Sequence, residues 1–403
     1  MQIIPRCIRI FLASVLLAGF VGAARAAVDV AGYLALESAG FVDRPAYPGQ
    51  FENLQSAFIA QPEFSAESET GREQFAFIPF AMLDSQDSRR THADVREAWW
   101  RHVGAGWELL VGIDRVFWGV TESNHLVDII NQTDQVQNLD GEDKLGQPML
   151  RLATQRDWGE LALFVMPLFR ERSFPGRDGR FRFALVSDGE ALYSNSDEER
   201  HIDLALRYAH YIGDWDIGLA WFHGTGREPR FVPNPGFTRF FTVYDVIDQA
   251  SIDLQYTRGG WLWKFEGLWR RQNGEGFVAG VGGFEYTLYQ VFGSDADLGL
   301  LVEYSRDGRD DDFTTMPPTV LDDDVFLGTR LTLNDVQSTE LLAGVVFDRK
   351  SEAWQLAVEA ERRLGDRWKL ELESRWFRNT ADSIVLNAFR QDSNITLRLS
   401  RYF

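Results

Sequence analysis

Most of the chain alternates between apolar and polar residues over short stretches, which is the period of a half-buried β-strand. In residues 261–271, aromatic side chains occupy the odd positions, whereas Lys264, Glu266 and Arg270 occupy even positions. The same pattern recurs along the chain and predicts about 18 strands. Sixteen strands fit if the pattern between 54 and 103 is divided differently.

The connections between these strands fall into two sets by length. Short connections lie at 69–71, 103–106, 157–158, 213, 259–260, 293–295, 335–337 and 365–366. Mostly long and polar connections lie at 39–53, 117–147, 171–199, 225–249, 307–323 and 378–391. Short turns on one rim and long loops on the other are typical of an all-β, transmembrane, antiparallel up-and-down β-barrel with short periplasmic turns and long outer loops.

A soluble β-sandwich is the alternative fold, because its core could bury the same apolar positions and its surface could carry the same charges. Aromatic side chains at predicted strand ends, as at Trp354, Trp368 and Trp376, favour the barrel. Such residues collect where a membrane meets water.

The stretch 118–134 breaks the strand pattern. Thr121 or Ser123 could cap a helix, and three apolar residues then share one helical face: Leu126, Ile129 and Ile130. By the order of the turns this stretch is the third outer loop. We expect a short helix there, folded into the lumen and packed on inward residues such as Leu110 and Gly112.

Residues 1–26 have the features of a cleaved signal peptide, which leaves 27–403 as the barrel. A basic start precedes an apolar run at 10–21, and a small-x-small cleavage site follows at 24–26. The apolar run is too short for a permanent membrane helix. Cys7, the only cysteine, leaves with this peptide, so we expect no disulfide and no cysteine metal site.

The charge balance narrows the partners. The chain has 41 Lys+Arg against 60 Asp+Glu, a formal net charge of −19, and loss of residues 1–26 would remove three arginines and no acid. Nucleic acid is therefore disfavoured, because phosphate binding needs cationic patches. Cation preference in a pore, or divalent-ion bridging at a lipopolysaccharide surface, fits better.

Acidic residues gather in or just after the third loop: Glu122, Asp128, Asp134, Asp140, Glu142 and Asp143. Basic candidates for the facing lumen wall are Arg151, Arg207, Lys264, Arg270, Arg330, Arg375 and Arg398. An acidic rim at a narrow point attracts cations, and opposed arginines would add a transverse field. Any one of these charges alone is explained by simple solvation, so the hypothesis depends on the set.

The last residues resemble the C-terminal assembly signal of bacterial outer-membrane barrels, with a terminal aromatic residue after alternating apolar ones. The matching positions are Ile395, Leu397, Leu399 and Phe403, whereas Arg401 departs from the pattern. The resemblance implies that the barrel-assembly machinery, outer-membrane lipids and lipopolysaccharide are partners.

The third loop carries a second resemblance. Trp118, Gly119 and Glu122, followed by Asp128, Ile130, Asn131 and Asp134, form a W-G-x-x-E…D-x-I-N-x-x-D segment. It resembles a segment of large porin-like outer-membrane proteins of Gram-negative bacteria. In the general porins, similar in architecture, the third loop forms the constriction, and trimers are common. The resemblance implies a channel, constriction residues Trp118, Gly119, Glu122, Asp128, Asn131 and Asp134, and a homo-oligomer as one assembly.

Two other classes remain as alternatives. A barrel hydrolase would use residues such as Ser123 and His125, but neighbouring residues on a helix point in different directions and no G-x-S-x-G elbow occurs. The histidines show no i,i+4 pair, so we expect no catalytic residues, no metal and no cofactor. A transporter of apolar or lipid-like molecules, alone or beside an inner-membrane exporter, is compatible with inward residues such as Leu262 and Leu301. The main prediction is passive, cation-preferring diffusion of small hydrophilic solutes.

Overall fold

The computed structural model describes residues 27–403, so the predicted signal peptide, residues 1–26, lies outside the described residues. Eighteen strands of this range form one antiparallel sheet, and three short strands form a second sheet. In chain order the strands are β1 Val28–Phe41, β2 Leu54–Glu67, β3 Glu73–Asp84, β4 His92–Val103, β5 Trp107–Asp114, β6 Gln147–Arg156, β7 Gly159–Met166, β8 Leu192–Tyr193, β9 Asp203–Ile212, β10 Trp215–Thr225, β11 Arg230–Pro233, β12 Phe240–Tyr244, β13 Val246–Arg258, β14 Trp261–Gln272, β15 Glu275–Leu288, β16 Asp297–Asp307, β17 Asp323–Thr332, β18 Glu340–Asp348, β19 Trp354–Leu364, β20 Trp368–Arg378 and β21 Asn394–Tyr402.

The large sheet closes on itself between its first and last strands. β1 pairs with β21 from Tyr33 opposite Tyr402 to Phe41 opposite Asn394, and every other barrel strand pairs with its neighbours along the chain. Closure leaves the large sheet, as described over residues 27–403, without an unpaired edge strand, as a barrel in lipid requires. The prediction of an 18-strand up-and-down barrel is confirmed.

The barrel has two unlike rims. Outer connections run over 42–53, 85–91, 115–146, 167–202, 226–245, 273–274, 308–322, 349–353 and 379–393, and periplasmic ones over 68–72, 104–106, 157–158, 213–214, 259–260, 289–296, 333–339 and 365–367. The third outer loop is therefore 115–146, as predicted. Three outer connections, 85–91, 273–274 and 349–353, are short, so the rims differ less regularly than the sequence pattern suggested.

The outer face of the barrel is apolar. Leucine, isoleucine, valine and aromatic side chains point outward from most strands and are exposed. Five exposed tryptophans lie at periplasmic strand ends or turns: Trp107, Trp158, Trp215, Trp261 and Trp368. An apolar band with an aromatic girdle on a closed barrel is the surface of a protein that spans the Gram-negative outer membrane. No helix within residues 27–403 is long and apolar enough to cross a membrane.

One side of the lumen is filled by an apolar core. Leu110 and Met149 on the inner wall pack with Val127, Ile129 and Ile130 of the third loop, and each of these five side chains is buried. Further inward residues of β6, β7, β9, β10 and β13 extend this cluster. The third loop is therefore fixed against this side of the wall, and the open path lies on the opposite side. Its predicted entry into the lumen is confirmed.

The predicted short helix in the third loop is wrong. Residues 115–146 contain no helix, and the helical turns of the described chain are short 3-10 turns outside this loop. The cause is that amide groups at 120–123 and 127 donate to two wall carboxylates rather than to carbonyls four residues earlier. The Thr121 hydroxyl lies 2.6 Å from the carbonyl of Asn124, three residues later, and this contact bends the chain instead of capping a helix.

The fourth outer loop, 167–202, crosses the mouth of the barrel to reach the ninth. Arg180 donates from Nε to Asp392 at 2.6 Å, and the two side chains are almost fully buried. Arg180 also donates to the carbonyl of Glu52 in the first loop. The short sheet of β11, β12 and β8 joins the fourth and fifth loops beside this crossing. These contacts narrow the outer mouth.

Candidate constriction and lumen

A glutamate on the far wall holds the first half of the third loop. Glu266 of β14 is fully buried and accepts hydrogen bonds from the amides of Val120, Thr121 and Val127 at 2.7, 3.0 and 3.1 Å. The hydroxyl of Thr121 lies 2.8 Å from the same carboxylate and shares its one proton between Glu266 and the carbonyl of Asn124. The carboxylate thus replaces the partners that these amides would have in regular structure.

Glu303 of β16 has the same anchoring role further along the wall. It accepts from the amides of Glu122 and Ser123, each at 2.8 Å, and from the Ser123 hydroxyl at 2.6 Å. Sequence reasoning missed the anchoring role of Glu266 and Glu303. Their inward direction follows from strand alternation, but the loop residues that they bind lie more than a hundred positions away.

The second half of the third loop is held against β4. Asp134 is fully buried and accepts from Arg96 at 2.6 Å, from His92 at 3.1 Å and from the Ser173 hydroxyl at 2.6 Å. Burial alone would raise the pKa of Asp134, but the His92 hydrogen bond and the Arg96 charge outweigh it and hold this pKa below its usual value. Asp134 is therefore a loop anchor.

Four other residues of the predicted constriction also lie inside the loop packing. Asn131 donates to the carbonyls of Asp114 and Leu145, both at 2.9 Å, and so ties the two ends of the loop together. The Asp128 carboxylate lies 3.0 Å from the Lys144 ammonium.

Trp118 and Gly119 contribute packing. Trp118 is buried edge-to-face on Phe164, with the Arg207 guanidinium 5.0 Å from its ring centre. A Cβ at Gly119 would lie 2.9 Å from His125 Nδ1, so a side chain at this position would displace its neighbours.

Glu122, in contrast, reaches the open lumen. Its carboxylate accepts from Arg330 of β17 at 2.7 Å and lies 3.8 Å from the Lys264 ammonium. Arg330 also contacts Glu340 and Glu285, so its one positive charge faces three carboxylates. The structure therefore brings together one predicted loop acid and two predicted wall cations.

The other predicted wall cations also face inward and have acidic partners. Arg375 pairs with Asp140 of the third loop at 2.9 Å and with Glu373 of its own strand. The remaining pairs are Arg151 with Glu108, Arg207 with Asp253, Arg270 with Glu228 and Arg398 with Glu37. Each of these pairs offsets a positive charge locally.

Two cavities follow one another along the open side of the lumen. The outer vestibule, about 420 Å³, is lined by residues of the third, fourth, fifth, seventh and ninth loops and of β17–β19. The inner chamber, about 590 Å³, lies between the third loop and inward residues of β1 and β17–β21. Five residues line both cavities and so border the passage between them: Glu122, Asp140, Glu142, Leu342 and Glu359. We call these five residues the constriction ring.

The ring and the inner chamber are strongly acidic. Ten carboxylate residues and two arginines line the inner chamber. Among residues 27–403, Glu142 and Glu359 have no ion-pair partner. Although Glu142 is exposed to the lumen, partial burial and the carboxylates of Asp140 and Glu359 raise its pKa to about 7. Burial, with Asp140 close by, also raises the pKa of Asp143 to about 7.

The geometry can be compared with solved structures. OccK9 (OpdG) of Pseudomonas aeruginosa is 14% identical, with 94% of this chain and 98% of that chain covered and a TM-score of 0.55. OccK8 (OprE) of the same organism is 9% identical over 93% and 98%, with a TM-score of 0.56, and a BenF-like porin from Pseudomonas fluorescens Pf-5 is 10% identical over 93% and 98%, with a TM-score of 0.54.

The fold is that of these porins. At such low identity the likeness concerns the fold alone. No family model and no curated protein matches the sequence. The role of the W-G-x-x-E segment is therefore inferred from its hydrogen bonds and packing in this structure.

The residues weighed for hydrolysis have other contacts. The Ser123 hydroxyl donates to Glu303, and the His125 ring packs edge-to-face on Phe117 at 4.9 Å. Within residues 27–403 there is no cluster of three or more His, Cys, Asp or Glu side chains arranged to hold a metal ion. These residues serve the packing of the third loop.

The residues of the predicted assembly signal lie on the last strand. Ile395, Leu397 and Leu399 of β21 are exposed on the outer face, and the terminal Phe403 is exposed beside β1. The Phe403 amide donates to the carbonyl of Gly32 at 3.1 Å. The signal residues thus border the seam where the barrel closes.

Proposed function

We propose that the protein is an outer-membrane channel for passive diffusion of small hydrophilic solutes, with a preference for cations. The constriction ring carries the proposal: four of its five side chains are carboxylates, contributed by both halves of the third loop and by β19. Arg330, Lys264 and Arg375 neutralise some of this charge at Glu122 and Asp140, whereas Glu142 and Glu359 stay free for a passing ion.

The inner chamber supports the same preference. A cation that passes the ring enters a space with ten carboxylate residues, so its energy stays low over the whole inner half of the path. An anion meets the same charges as a barrier. Solutes then move down their gradients, and no catalytic step is required.

Asp128 and Asp134 hold the third loop in place, and Glu122, Asp140, Glu142 and Glu359 act on the solute. The barrel-assembly machinery recognises the exposed apolar residues of β21. The acidic outer rim meets lipopolysaccharide through divalent ions. A homo-oligomer would join protomers through their apolar outer faces.

Reversal potentials in planar bilayers test the proposal. The purified protein is reconstituted under a potassium chloride gradient, and we expect a potential on the cation-selective side. E142Q and E359Q each remove one unpaired ring charge and should move the reversal potential toward zero, with a larger shift in the double variant.

E69Q is the matched control. Glu69 lies exposed in the periplasmic turn 68–72, away from the ring, so the same change of charge there should leave selectivity as in the parent. Anion selectivity of the parent channel would contradict the acidic-ring account. Absence of any current would contradict the channel itself.

A further inference from the structure

The inner wall of β17–β19 changes polarity at the constriction ring. Leu342 of the ring itself, and Phe326 and Val346 on its outer side, face the vestibule. On the periplasmic side, the same strands present Glu340 and Glu361 to the inner chamber. The strand register places the two surfaces in contact, because Leu342 lies directly opposite Glu359 and Phe326 opposite Val346.

Two glycines keep this apolar surface flat. A Cβ at Gly328 would lie 2.7 Å from the Phe326 ring, and a Cβ at Gly344 would lie 2.3 Å from it. The phenyl ring of Phe326 therefore lies over both glycines, against the wall and beside the open path. We call Phe326, Leu342 and Val346 the apolar strip.

Water conduction alone does not account for the apolar strip. The interior of a water-filled barrel is normally polar, and apolar surface in contact with water is unfavourable. Two partly buried residues add apolar lining to the vestibule, Leu139 of the third loop and Val385 of the ninth. The vestibule thus combines apolar walls with a carboxylate ring at its base.

Four of the five arginines that line the vestibule pair with carboxylates, and the fifth, Arg172, donates to the side-chain oxygen of Gln132 at 3.2 Å. Arg227 pairs with Asp203 at 2.7 Å, and Arg309 pairs with Asp307 at 2.8 Å. Arg270 and Arg309 both contact Glu228. Burial alone would raise the pKa of Glu228, but the charges of Arg309 and Arg270 outweigh burial and hold this pKa below its usual value. Most of the positive charge is therefore already matched within the protein.

We propose that the channel takes organic cations with an apolar body, the body lying on the apolar strip while the ammonium group meets Glu359 and Glu142. This inference rests on the proposed function, and it names the substrate class. Charge complementarity selects the ammonium end. Side chains directly opposite on paired strands have Cβ atoms about 5 Å apart, so a cation with a short spacer between its apolar group and its nitrogen reaches Leu342 and Glu359 together.

Block of the potassium current measures this binding. Phenethylammonium is the probe, methylammonium is the cation without an apolar body, and phenylacetate is the anion with the same ring. We expect phenethylammonium to block at a concentration roughly tenfold lower than methylammonium, because burying part of a phenyl ring is worth about that factor. Phenylacetate should block least.

Variants assign the effect to residues. L342N or V346N should weaken the phenethylammonium block roughly fivefold and leave the methylammonium block unchanged. E359Q should weaken both. L262N is the matched control, because Leu262 faces inward but lines neither the vestibule nor the inner chamber. Heat-modifiable migration in gels checks folding, and L342T replaces L342N if the latter does not assemble.

The outcomes separate the two proposals. A cation-selective current blocked equally by phenethylammonium and methylammonium overturns the substrate class and leaves the channel. The substrate class is also overturned if an apolar-strip variant and the parent are blocked by phenethylammonium at the same concentration. If no potassium current flows, the channel and this inference fall together.

Discussion

Replacing Glu266 by glutamine tests how the third loop is held. The change keeps the shape of the side chain but removes its charge and turns one of its two oxygens into an N–H donor. In the parent protein these two oxygens accept four hydrogen bonds from the loop, at Val120, Thr121 and Val127. At least one loop donor must then face another donor.

The size of the effect follows from these bonds. Three hydrogen bonds lose their charge assistance, at about 1 kcal/mol each, and one buried donor is left unsatisfied, at about 1–2 kcal/mol. The free energy that holds the first half of the loop on the wall should therefore fall by about 4 kcal/mol. A loss of that size shifts the ratio of attached to detached loop by a factor of about 1000.

Single-channel recording is the assay. With E266Q we expect a higher conductance and more current noise than in the parent, because a detached loop no longer narrows the lumen. E108Q is the control: Glu108 also faces inward, but it pairs with Arg151 on the wall and has no hydrogen bond or ion pair to the third loop within residues 27–403. Parent-like conductance and noise in E266Q, or the same change in E108Q, would refute the anchoring role.

Two further predictions concern pH and stability. Because the pKa values of Glu142 and Asp143 are raised to about 7, both groups are mostly neutral below that pH and charged above it. Potassium-over-chloride selectivity should therefore rise between about pH 5.5 and about 8.5, and E142Q should flatten the rise. A flat profile in the parent would count against the raised pKa values. The groups facing them are Glu122 and Asp140 of the loop, and Lys264, Arg330, Glu359, Glu371, Glu373, Arg375 and Arg398 of the wall. D134N removes the negative charge that Arg96 and His92 contact in a fully buried site. It should therefore lower the free energy of unfolding, measured in a urea titration, by about 3 kcal/mol and leave ion selectivity unchanged. A shift in selectivity would place Asp134 on the ion path.

Local pattern was sufficient to predict the barrel. Strand alternation has a period of two residues, so the outward direction of Trp261 and the inward direction of Lys264 can be read from neighbouring positions alone. Most connection lengths alternate because a chain that runs up and down a barrel visits each rim in turn, and the short outer connections at 85–91, 273–274 and 349–353 are the exceptions. Strand direction depends on a few consecutive residues, so the sequence alone is sufficient to predict it.

The site depended on distant contacts. The helix predicted from Leu126, Ile129 and Ile130 does not form, because Glu266 and Glu303 supply partners for the loop amides from 139 to 181 residues away. Asp134 looked like a lumen acid, but the closed barrel buries it against Arg96. Glu142, Glu359 and Leu342 meet only because loop folding and strand register bring them to one place.

Residue order along each strand is therefore enough to predict which side chains face lipid and which face the lumen. Only the closed barrel shows which inward charges neutralise one another and which remain free at the constriction ring. The difference is one of range, because strand direction is set by neighbours along the chain, whereas ion pairing is set by distances across the lumen.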